Sequence, residues 1–287
     1  MKLIKIVEQQ LVCAGYQSQQ LWYAAGWLAS KITGLSMVQL LVTDRNFSPK
    51  EQELLTKLIY ELTVLKKPLP YILGSVSFCS LEILVEPPVL VPRPETEEWV
   101  LDLGKQLVQE QRLLSILDIG TGSGCIALAL AHMLPRSRVI GVDIAEKALE
   151  LARKNQMVLG ISHVTFTLAD LFPAQRDLFD VIVSNPPYIS ESEYRELEPQ
   201  VSLWEDKKAL VADDSGLAII KRIIDRARVH LVNKGQLVLE IGSTQAAVVC
   251  TFMRSCGYTD IQVKKDFAHN DRVLMGRYEV EHEMARP

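Results

Sequence analysis

The segment from 115 to 134 constrains the fold of this chain more than any other. A short apolar run, SILDI at 115–119, leads into the glycine-rich stretch Gly120-Thr121-Gly122-Ser123-Gly124, and an apolar helical pattern follows from Cys125 to Leu134. Glycine permits a sharp turn between a buried strand and a helix, and it lets the backbone approach a ligand closely. The segment therefore predicts the first strand, turn and helix of a parallel α/β sheet.

Strand-like and helix-like segments alternate after this unit. Further strands are predicted at 138–144, 164–168, 180–184 and 236–241, and helices are predicted up to Gly160 and at 216–232 and 244–255. The last two predicted strands, 261–267 and 272–278, are separated by a short AHND segment, which is too short for a helix. They should pair as an antiparallel hairpin at the edge of the sheet. The sequence predicts an α/β fold with seven strands, helices on both faces and an antiparallel last strand.

The N-terminal part of the chain differs in character. Residues 1–75 show helical periodicity, with a predicted capping box at Ser48-Pro49-Lys50-Glu51 and an apolar stripe after it. This stripe consists of Leu54, Leu55, Leu58, Ile59, Leu62 and Leu65. Residues 76–93 are rich in β-branched residues and proline, which suits a hairpin or an extended linker. We predict a small all-α bundle at 1–75, which could also dock a partner, a β-hairpin linker at 76–93 and the α/β domain at 94–287.

Composition narrows the class of protein. A length of 287 residues with 48% hydrophobic content can support one large domain and a smaller companion. The formal net charge of -4 argues against a dedicated DNA-binding protein. The cysteines and histidines show no metal-ligand spacing, so no metal is expected. The N-terminal segment is interrupted by Glu8 and reads as an amphipathic helix, and we expect a cytoplasmic protein without a membrane span.

The glycine turn indicates the kind of ligand. The dinucleotide-binding fingerprint needs a third glycine where Cys125 stands, and the phosphate loop of nucleotide hydrolases needs a lysine that is missing here. Asp143 ends the next predicted strand, near the spacing of roughly 20 residues at which an acidic side chain accepts hydrogen bonds from a ribose. The pair predicts an adenosine-bearing cofactor with little or no phosphate. The alternative is a plain strand-to-helix turn, with Asp143 capping the following helix.

A second motif, Asn185-Pro186-Pro187-Tyr188, directly follows the predicted strand at 180–184. Proline fixes the backbone and removes its donor, so the turn offers two acceptors, the Asn185 side-chain oxygen and the Pro186 carbonyl. Two acceptors suit a neutral nitrogen that carries two hydrogens, as in a primary amide or an exocyclic amine, and Tyr188 could stack on a planar group. The alternative is an ordinary proline turn without a function.

The motifs DIGTGSG, VDI and SNPPY, together with LVPRPETE at 90–97 and YILG at 71–74, resemble the release factor N5-glutamine methyltransferases. The resemblance runs from about Tyr71 to Asp271-Arg272-Val273. It implies a class I, Rossmann-like methyltransferase domain that uses S-adenosylmethionine and releases S-adenosylhomocysteine. The implied activity is transfer of a methyl group to the side-chain nitrogen N5 of the glutamine in the Gly-Gly-Gln motif of peptide chain release factors.

The resemblance also implies roles for particular residues. Asn185, Pro186 and Tyr188 would be catalytic, and Asn185, Pro186, Pro187 and Tyr188, with Arg93 and Glu95, would bind the substrate. The cofactor would lie against Gly120, Thr121, Gly122, Ser123, Gly124, Asp143, Asp170, Leu171 and Asn185. Thr96 would help to shape the wall of the site, or else Thr96 and Glu97 simply start a helix. The chain departs from the family at Cys79-Ser80, Glu205-Asp206, Ala212-Asp213-Asp214 and Leu171.

Three other activities remain open at this point. A related enzyme methylates a glutamine of a ribosomal protein, and nucleic-acid adenine-N6 methyltransferases use the same Asn-Pro-Pro-Tyr turn on a flipped base. The third is a binding module without catalysis. The acidic balance disfavours a nucleic-acid substrate. We expect a monomer whose partner is a release factor, with no stable binding to nucleic acid or membrane.

Overall fold

The computed structural model describes residues 1–279, and residues 280–287 at the end of the predicted 94–287 domain lie outside that part. The chain divides into two compact units. The first comprises Met1–Ser75 and Glu198–Trp204, and the second comprises Val76–Leu197 and Glu205–Pro287. Among the helices within residues 1–279, none has the length and apolar composition that a bilayer crossing requires.

The N-terminal part of the first unit is helical. Its helices are α1 (Lys2–Cys13), α2 (Leu21–Thr33), α3 (Met37–Val42), α4 (Pro49–Thr63) and α5 (Leu69–Leu73). The predicted capping box at the start of α4 is confirmed: the Ser48 side chain accepts from the Glu51 N–H, and the Glu51 carboxylate accepts from the Ser48 N–H at 2.7 Å. This pair satisfies two backbone donors that the first helical turn leaves free.

The apolar stripe of α4 is narrower than the sequence pattern predicts. Its buried members are Leu55, Leu58, Ile59 and Leu62, which pack against α1 and α2 in one core. Leu54 and Leu65 were predicted to belong to this stripe, but they are 37% and 42% exposed. Leu54 lies at the margin of the buried face, and Leu65 follows the end of the helix, so neither points into the core.

A two-stranded hairpin opens the second unit. Its strands are β1 (Ser75–Phe78) and β2 (Leu81–Leu84), joined by the two residues Cys79 and Ser80. Both have a positive φ, 50° and 65°. A two-residue turn of this shape matches the twist of a hairpin, but it favours Asn-Gly over residues with larger side chains. The Cys79 N–H is held by the Glu97 carboxylate at 2.7 Å.

The second unit contains a large sheet with helices along both faces. Its strands are β3 (Ser115–Ile119), β4 (Arg138–Asp143), β5 (Val164–Leu168), β6 (Phe179–Ser184), β7 (Leu231–Glu240), β8 (Tyr258–Lys265) and β9 (Asp271–Tyr278). The helices are α6 (Pro94–Val108), α7 (Cys125–Met133), α8 (Glu146–Leu159), α9 (Glu191–Tyr194), α11 (Lys207–Leu210), α12 (Ala218–Ala227) and α13 (Ala246–Ser255). One further helix, α10 (Pro199–Ser202), lies in the segment that belongs to the first unit.

The order of strands confirms the predicted fold class. The strands follow the order β5-β4-β3-β6-β7-β9-β8, with β9 antiparallel to both β7 and β8. Successive residues of β3 alternate between two cores: Ile116 packs with α6, α7 and α8, whereas Leu117 packs with α12 and α13. A parallel sheet buried on both faces in this way needs apolar residues at nearly every strand position.

The boundaries between α12 and β7 differ most from the sequence prediction, and β8 also begins three residues earlier than predicted, at Tyr258. The helix predicted at 216–232 ends at Ala227, and β7 starts at Leu231 instead of at 236. The pairing of β6 with β7 shifts between Leu231 and Gln236, and Lys234 has a φ of 63°. This irregularity hides the alternation of apolar residues on which the sequence prediction depends.

The hairpin turn generates a stability prediction. A side chain in the left-handed region costs roughly 1 kcal/mol relative to glycine, so Ser80→Gly should raise the free energy of unfolding by about 1 kcal/mol. Urea unfolding measures this. The control is Ser77→Gly in the neighbouring strand, where added backbone freedom should lower stability instead. Equal effects of the two changes would contradict this account of the turn.

Candidate functional site

The register of the parallel strands gathers the predicted site residues at one edge of the sheet. Ile119 at the end of β3 lies opposite Val142 of β4 and Ser184 of β6, and Ser184 lies opposite Leu239 of β7. The residues that follow these positions lie at the same level, at or just beyond the ends of the strands. They are Gly120, Asp143, Asn185 and Glu240.

The glycine turn is fixed by hydrogen bonds from both sides. The Thr121 N–H donates to the Val142 carbonyl at 2.9 Å, and its hydroxyl donates to Asp118 Oδ2 at 2.6 Å. Gly120 and Gly122 have φ values of 69° and 55°, and a Cβ added at Gly120 would meet no atom within 4 Å. The turn is therefore rigid and leaves open space directly in front of its backbone.

Asp143 connects the turn with the next helix. Its Oδ2 accepts from the Gly122 N–H at 2.9 Å, and its Oδ1 accepts from the Ala145 N–H at 2.9 Å, just before α8. Burial raises the pKa of this carboxyl, and the backbone hydrogen bonds lower it. Asp143 thus joins the glycine turn to the segment before α8, but it does not cap that helix, because the N-cap residue is Ala145 and no side chain caps this end.

The surroundings of the glycine turn fit a ligand that has a flat ring system and hydrogen-bond donors. Asp118 Oδ1 and Ser123 Oγ are buried and lack a hydrogen-bond partner among the described residues. Ile144 and Leu168, at the ends of neighbouring strands, are 68% and 55% exposed. The unpartnered polar atoms near the turn and the exposed apolar side chains at the strand ends are features that a ligand with an adenosine and a polar tail would complete.

Asp170 and Leu171 follow β5 at the same edge. The Asp170 carboxylate accepts from Arg222 at 2.7 Å, and its carbonyl accepts from Arg226 at 3.2 Å. Leu171 has a φ of 70°, which is uncommon for a leucine, and it packs partly against the core under α12. The two arginines fix the loop, and the side chain of Asp170 remains about half exposed.

The Asn-Pro-Pro-Tyr turn is anchored at both ends. The Ser184 hydroxyl before it donates to the Ile119 carbonyl at 2.7 Å. Behind it, the Tyr188 carbonyl accepts from Gln245 Nε2 at 2.9 Å, and Gly216 packs so closely that an added Cβ would lie 2.0 Å from that carbonyl. Pro186 is buried, and Asn185 and Tyr188 are half-buried.

A buried carboxylate lies at the centre of the polar contacts behind this turn. Glu240, which is 1% exposed, accepts from the Thr96 hydroxyl at 2.7 Å and from Trp99 Nε1 at 2.9 Å, both at Oε2. Its Oε1 accepts from the Tyr188 hydroxyl at 3.3 Å. Asn185 Nδ2 donates to the Thr96 oxygen at 3.0 Å. A continuous chain of hydrogen bonds therefore joins Asn185 to Glu240.

The charges around this network follow from burial. Burial raises the pKa of the Glu240 carboxyl, while hydrogen bonds from Thr96 and Trp99 lower it. Burial and the adjacent Glu240 charge raise the pKa of Tyr188, which stays a neutral donor. The nearby cation Arg272 pairs with Asp266 at 3.1 Å. The Asn185 side chain thus contacts the neutral Thr96 hydroxyl, and the Glu240 carboxyl lies behind it.

Arg93 and Glu95 are placed differently from each other. Arg93 pairs at 2.5 Å with Glu205, a nearly fully buried carboxylate that also accepts from the Val91 N–H at 3.3 Å. Burial raises the pKa of Glu205, and Arg93 lowers it. Glu95 is exposed in the first turn of α6. Arg93 therefore fixes the segment before α6, and both assignments to substrate binding stay predictions.

The sequence prediction did not single out Glu240 as a member of this site. The signal was present, because a lone carboxylate interrupts the apolar run LVLEI at 237–241, where a buried charge is costly unless it is paired. Thr96 was left open between two roles, and its contacts with Asn185 and Glu240 place it in the network. Within residues 1–279, no group of three His, Cys, Asp or Glu side chains has the geometry of a metal site.

Comparisons with known proteins agree with this geometry. Residues 110–262 match a family described as methyltransferase domain. The release factor glutamine methyltransferase of Thermodesulfovibrio yellowstonii is 37% identical over 241 residues, which cover 82% of this chain and 85% of that protein. The protein with the same name from Vibrio cholerae is 42% identical over 224 residues, which cover 76% of each chain.

A solved structure shares the fold. It is the T. thermophilus 16S rRNA N2 G1207 methyltransferase in complex with AdoMet (S-adenosylmethionine) and guanosine. The two structures align with a TM-score of 0.52 at 18% sequence identity. The alignment covers 71% of this chain and 50% of the rRNA methyltransferase. At this level of identity the likeness concerns the fold alone.

The buried Asp118 generates a prediction on pH. Burial raises the pKa of this carboxyl from 3.8 to about 7, so between these values the folded protein keeps a proton that the unfolded chain has lost. Folding stability contributed by this group must fall as pH rises through that window. The unfolding free energy of the wild type should fall between pH 5 and pH 8, and in Asp118→Asn this fall should be roughly 2–3 kcal/mol smaller than in the wild type.

Urea unfolding of the cofactor-free protein at the two pH values checks this prediction. The exposed Asp213→Asn serves as the control and should follow the wild type. A pH dependence in Asp118→Asn that matches the wild type would contradict the assignment.

Proposed function

This chain belongs to the family of release factor glutamine methyltransferases, and from that premise we propose that it methylates N5 of the glutamine in the Gly-Gly-Gln motif of a peptide chain release factor. Its cofactor is S-adenosylmethionine. The observation that best supports the amide substrate is the hydrogen bond from Asn185 Nδ2 to Thr96, because it leaves the Asn185 oxygen to accept from an incoming N–H group.

Amide nitrogen is a poor nucleophile because its lone pair is delocalised into the carbonyl. We propose that the Asn185 side-chain oxygen and the Pro186 carbonyl accept the two amide hydrogens, hold the nitrogen and favour its pyramidal form. Such alignment can lower a barrier by up to about 7–11 kcal/mol in well-oriented reactions. Bound S-adenosylmethionine would supply the electrophilic methyl group and leave as S-adenosylhomocysteine, and one of the two amide hydrogens would then leave the nitrogen as a proton, to water. Pro187 would keep the turn rigid, and Tyr188 would close one side of the site.

The glycine turn is proposed to hold the cofactor. Asp143 would accept from the ribose hydroxyls, in addition to its contact with Gly122. The exposed Ile144 and Leu168 would cover the adenine, with Asp170 and Leu171 beside it. The unpartnered Asp118 and Ser123 atoms would face the polar tail. The remaining predicted cofactor residues, Gly120, Thr121, Gly124 and Asn185, lie at the same edge of the sheet.

We propose that the helical segment 1–75 docks the release factor. Trp22, Tyr23 and Trp27 lie on the exposed side of α2 and are 37%, 53% and 41% exposed, with ring contacts between neighbours. Exposed clustered aromatic side chains are typical of protein-binding surfaces. Trp27→Ser should raise KM for an intact release factor and leave kcat/KM for a short Gly-Gly-Gln peptide unchanged. Equal losses for both substrates would contradict docking by this surface.

A labelling assay tests the substrate directly. Purified protein, S-adenosylmethionine labelled in its methyl group and a release factor should yield one labelled glutamine. Acid hydrolysis of that product should release labelled methylamine, since hydrolysis of an N5-methyl amide cleaves the bond between the carbonyl carbon and the nitrogen. Undiminished labelling of a release factor whose Gly-Gly-Gln glutamine is replaced by glutamate would refute the proposal. Parallel reactions with ribosomal proteins and with DNA distinguish the two alternative substrates.

Asn185→Ala tests the proposed chemistry. The change removes one acceptor from the nucleophile, so kcat should fall by on the order of 10²-fold. Affinity for S-adenosylmethionine, measured by calorimetry, should stay within a few-fold of the wild type. Unchanged turnover in this variant would exclude the proposed role of the side chain.

A further inference from the structure

The hydrogen bonds behind Asn185 determine which end of its carboxamide faces the substrate. We propose that Thr96 and Glu240 are positioning residues that fix the Asn185 carboxamide with its nitrogen inward and its oxygen toward the substrate nitrogen. This inference rests on the proposed function, since it explains how the turn presents an acceptor. Neither residue needs to touch the substrate or the cofactor.

Counting donors and acceptors supports this orientation. Trp99 Nε1 can only donate, so Glu240 Oε2 acts as an acceptor at 2.9 Å. The Thr96 hydroxyl has one hydrogen and lies 2.7 Å from the same oxygen, to which it donates. Only a lone pair of the Thr96 oxygen is then left for Asn185, and a lone pair can bind the Nδ2 hydrogens but not Oδ1.

The flipped carboxamide would break this arrangement. If Asn185 turned its oxygen toward Thr96, the hydroxyl hydrogen would have to point at Asn185. The Thr96 oxygen and Glu240 Oε2 would then face each other at 2.7 Å with no hydrogen between them. A buried acceptor that loses its donor costs about 1–3 kcal/mol in measured cases, and more when it is charged. The carboxylate therefore selects one of two orientations that are otherwise nearly equal in shape.

The same carboxylate also holds the far end of the turn. Glu240 Oε1 accepts from the Tyr188 hydroxyl at 3.3 Å. Both ends of the turn are therefore connected to Glu240, Tyr188 directly and Asn185 through Thr96. Glu240 follows Leu239, which is paired with Ser184 across β6 and β7, and Thr96 and Trp99 come from α6. The orientation of Asn185 is thus set by the sheet and by a long helix, which are more rigid than a loop.

The burial of Glu240 does not by itself indicate that this residue stabilises the fold. Replacing such charges with apolar side chains is often neutral or stabilising, because removal of the charge from water is costly. Here the described partners use both oxygens, and Arg272, a cation that acts on Glu240, is paired with Asp266. Glu240 therefore fits a role in orientation better than a role in packing.

Two variants of Thr96 separate orientation from packing. Thr96→Val has nearly the same shape but lacks the hydroxyl, whereas Thr96→Ser keeps it. Thr96→Val should lower kcat for the release factor by about 10- to 100-fold with little change in KM or in cofactor affinity. Thr96→Ser should restore most of this loss. A Thr96→Ser variant as slow as Thr96→Val would overturn the proposal.

A second matched pair of variants can be made at Glu240. In Glu240→Gln, the amide oxygen can replace Oε2 and still accept from Thr96 and Trp99, whereas Glu240→Leu cannot accept at all. Turnover should therefore be much higher in Glu240→Gln than in Glu240→Leu. Equal turnover in the two folded variants would contradict a role in orientation. The milder changes at Thr96 keep the test available if Glu240→Leu does not fold.

A double mutant shows whether Thr96 acts through Asn185. If it does, the Thr96→Val, Asn185→Ala double variant should turn over as slowly as Asn185→Ala alone, because no carboxamide is left to orient. If Thr96 supports only the general structure, the two losses should multiply. Multiplied losses would overturn the proposal.

A measurement without substrate separates this inference from the proposed function. In protein labelled with ¹⁵N-asparagine, the Asn185 side-chain resonance is identified by its loss in Asn185→Ala. Its hydrogens should exchange with water slowly in the wild type and in Thr96→Ser, and several-fold faster in Thr96→Val. Unchanged exchange in Thr96→Val would refute the positioning role even if release factor methylation is observed. Faster exchange supports it even if the methylated substrate proves to be a different one.

Discussion

The parallel pairing of β3 with β4 on one side and with β6 on the other determines where the glycine turn, Asp143 and Asn185 lie. Ile119 is opposite both Val142 and Ser184, so these three lie at the same level where the strands end. A shift of one residue in either pairing would turn each side chain to the opposite face. Apolar residues on both faces of these strands oppose such a shift, because it would exchange their partners in two cores.

The site keeps polar groups in places where burial is costly. Asp118 is fully buried with one oxygen unpartnered among the described residues, and Glu240 is buried with three donors directed at it. The two buried carboxyl groups therefore differ in how completely their hydrogen bonds are satisfied. A buried acceptor that is fully partnered makes its surroundings rigid, whereas one that lacks a partner lowers stability until a ligand supplies the missing donor. The protein therefore has a fixed side behind Asn185 and an incomplete side behind the glycine turn.

The sequence predicts local features of this site better than its long-range contacts. The glycine turn, the acidic strand end and the proline turn are each contained in a few neighbouring residues, and strand ends of a parallel sheet meet at one edge, so their proximity could be predicted. Thr96 and Glu240 are far apart in the chain, and their contact depends on how α6 packs against the sheet. The start of β7 at Leu231, five residues before the predicted 236, was missed for a related reason, because an irregular strand lacks regular alternation.

The place of Glu240 behind Thr96 fits the charge that the proposed methyl transfer to an amide would create. Positive charge moves onto the amide nitrogen as its new bond forms, so acceptors directed at that nitrogen bind the transition state more strongly than the ground state. A chain of hydrogen bonds that ends in a carboxylate polarises each member. In the proposed reaction, Asn185 would thereby present a more negative oxygen to the nitrogen, while the Glu240 carboxyl stays buried at 1% exposure and away from water.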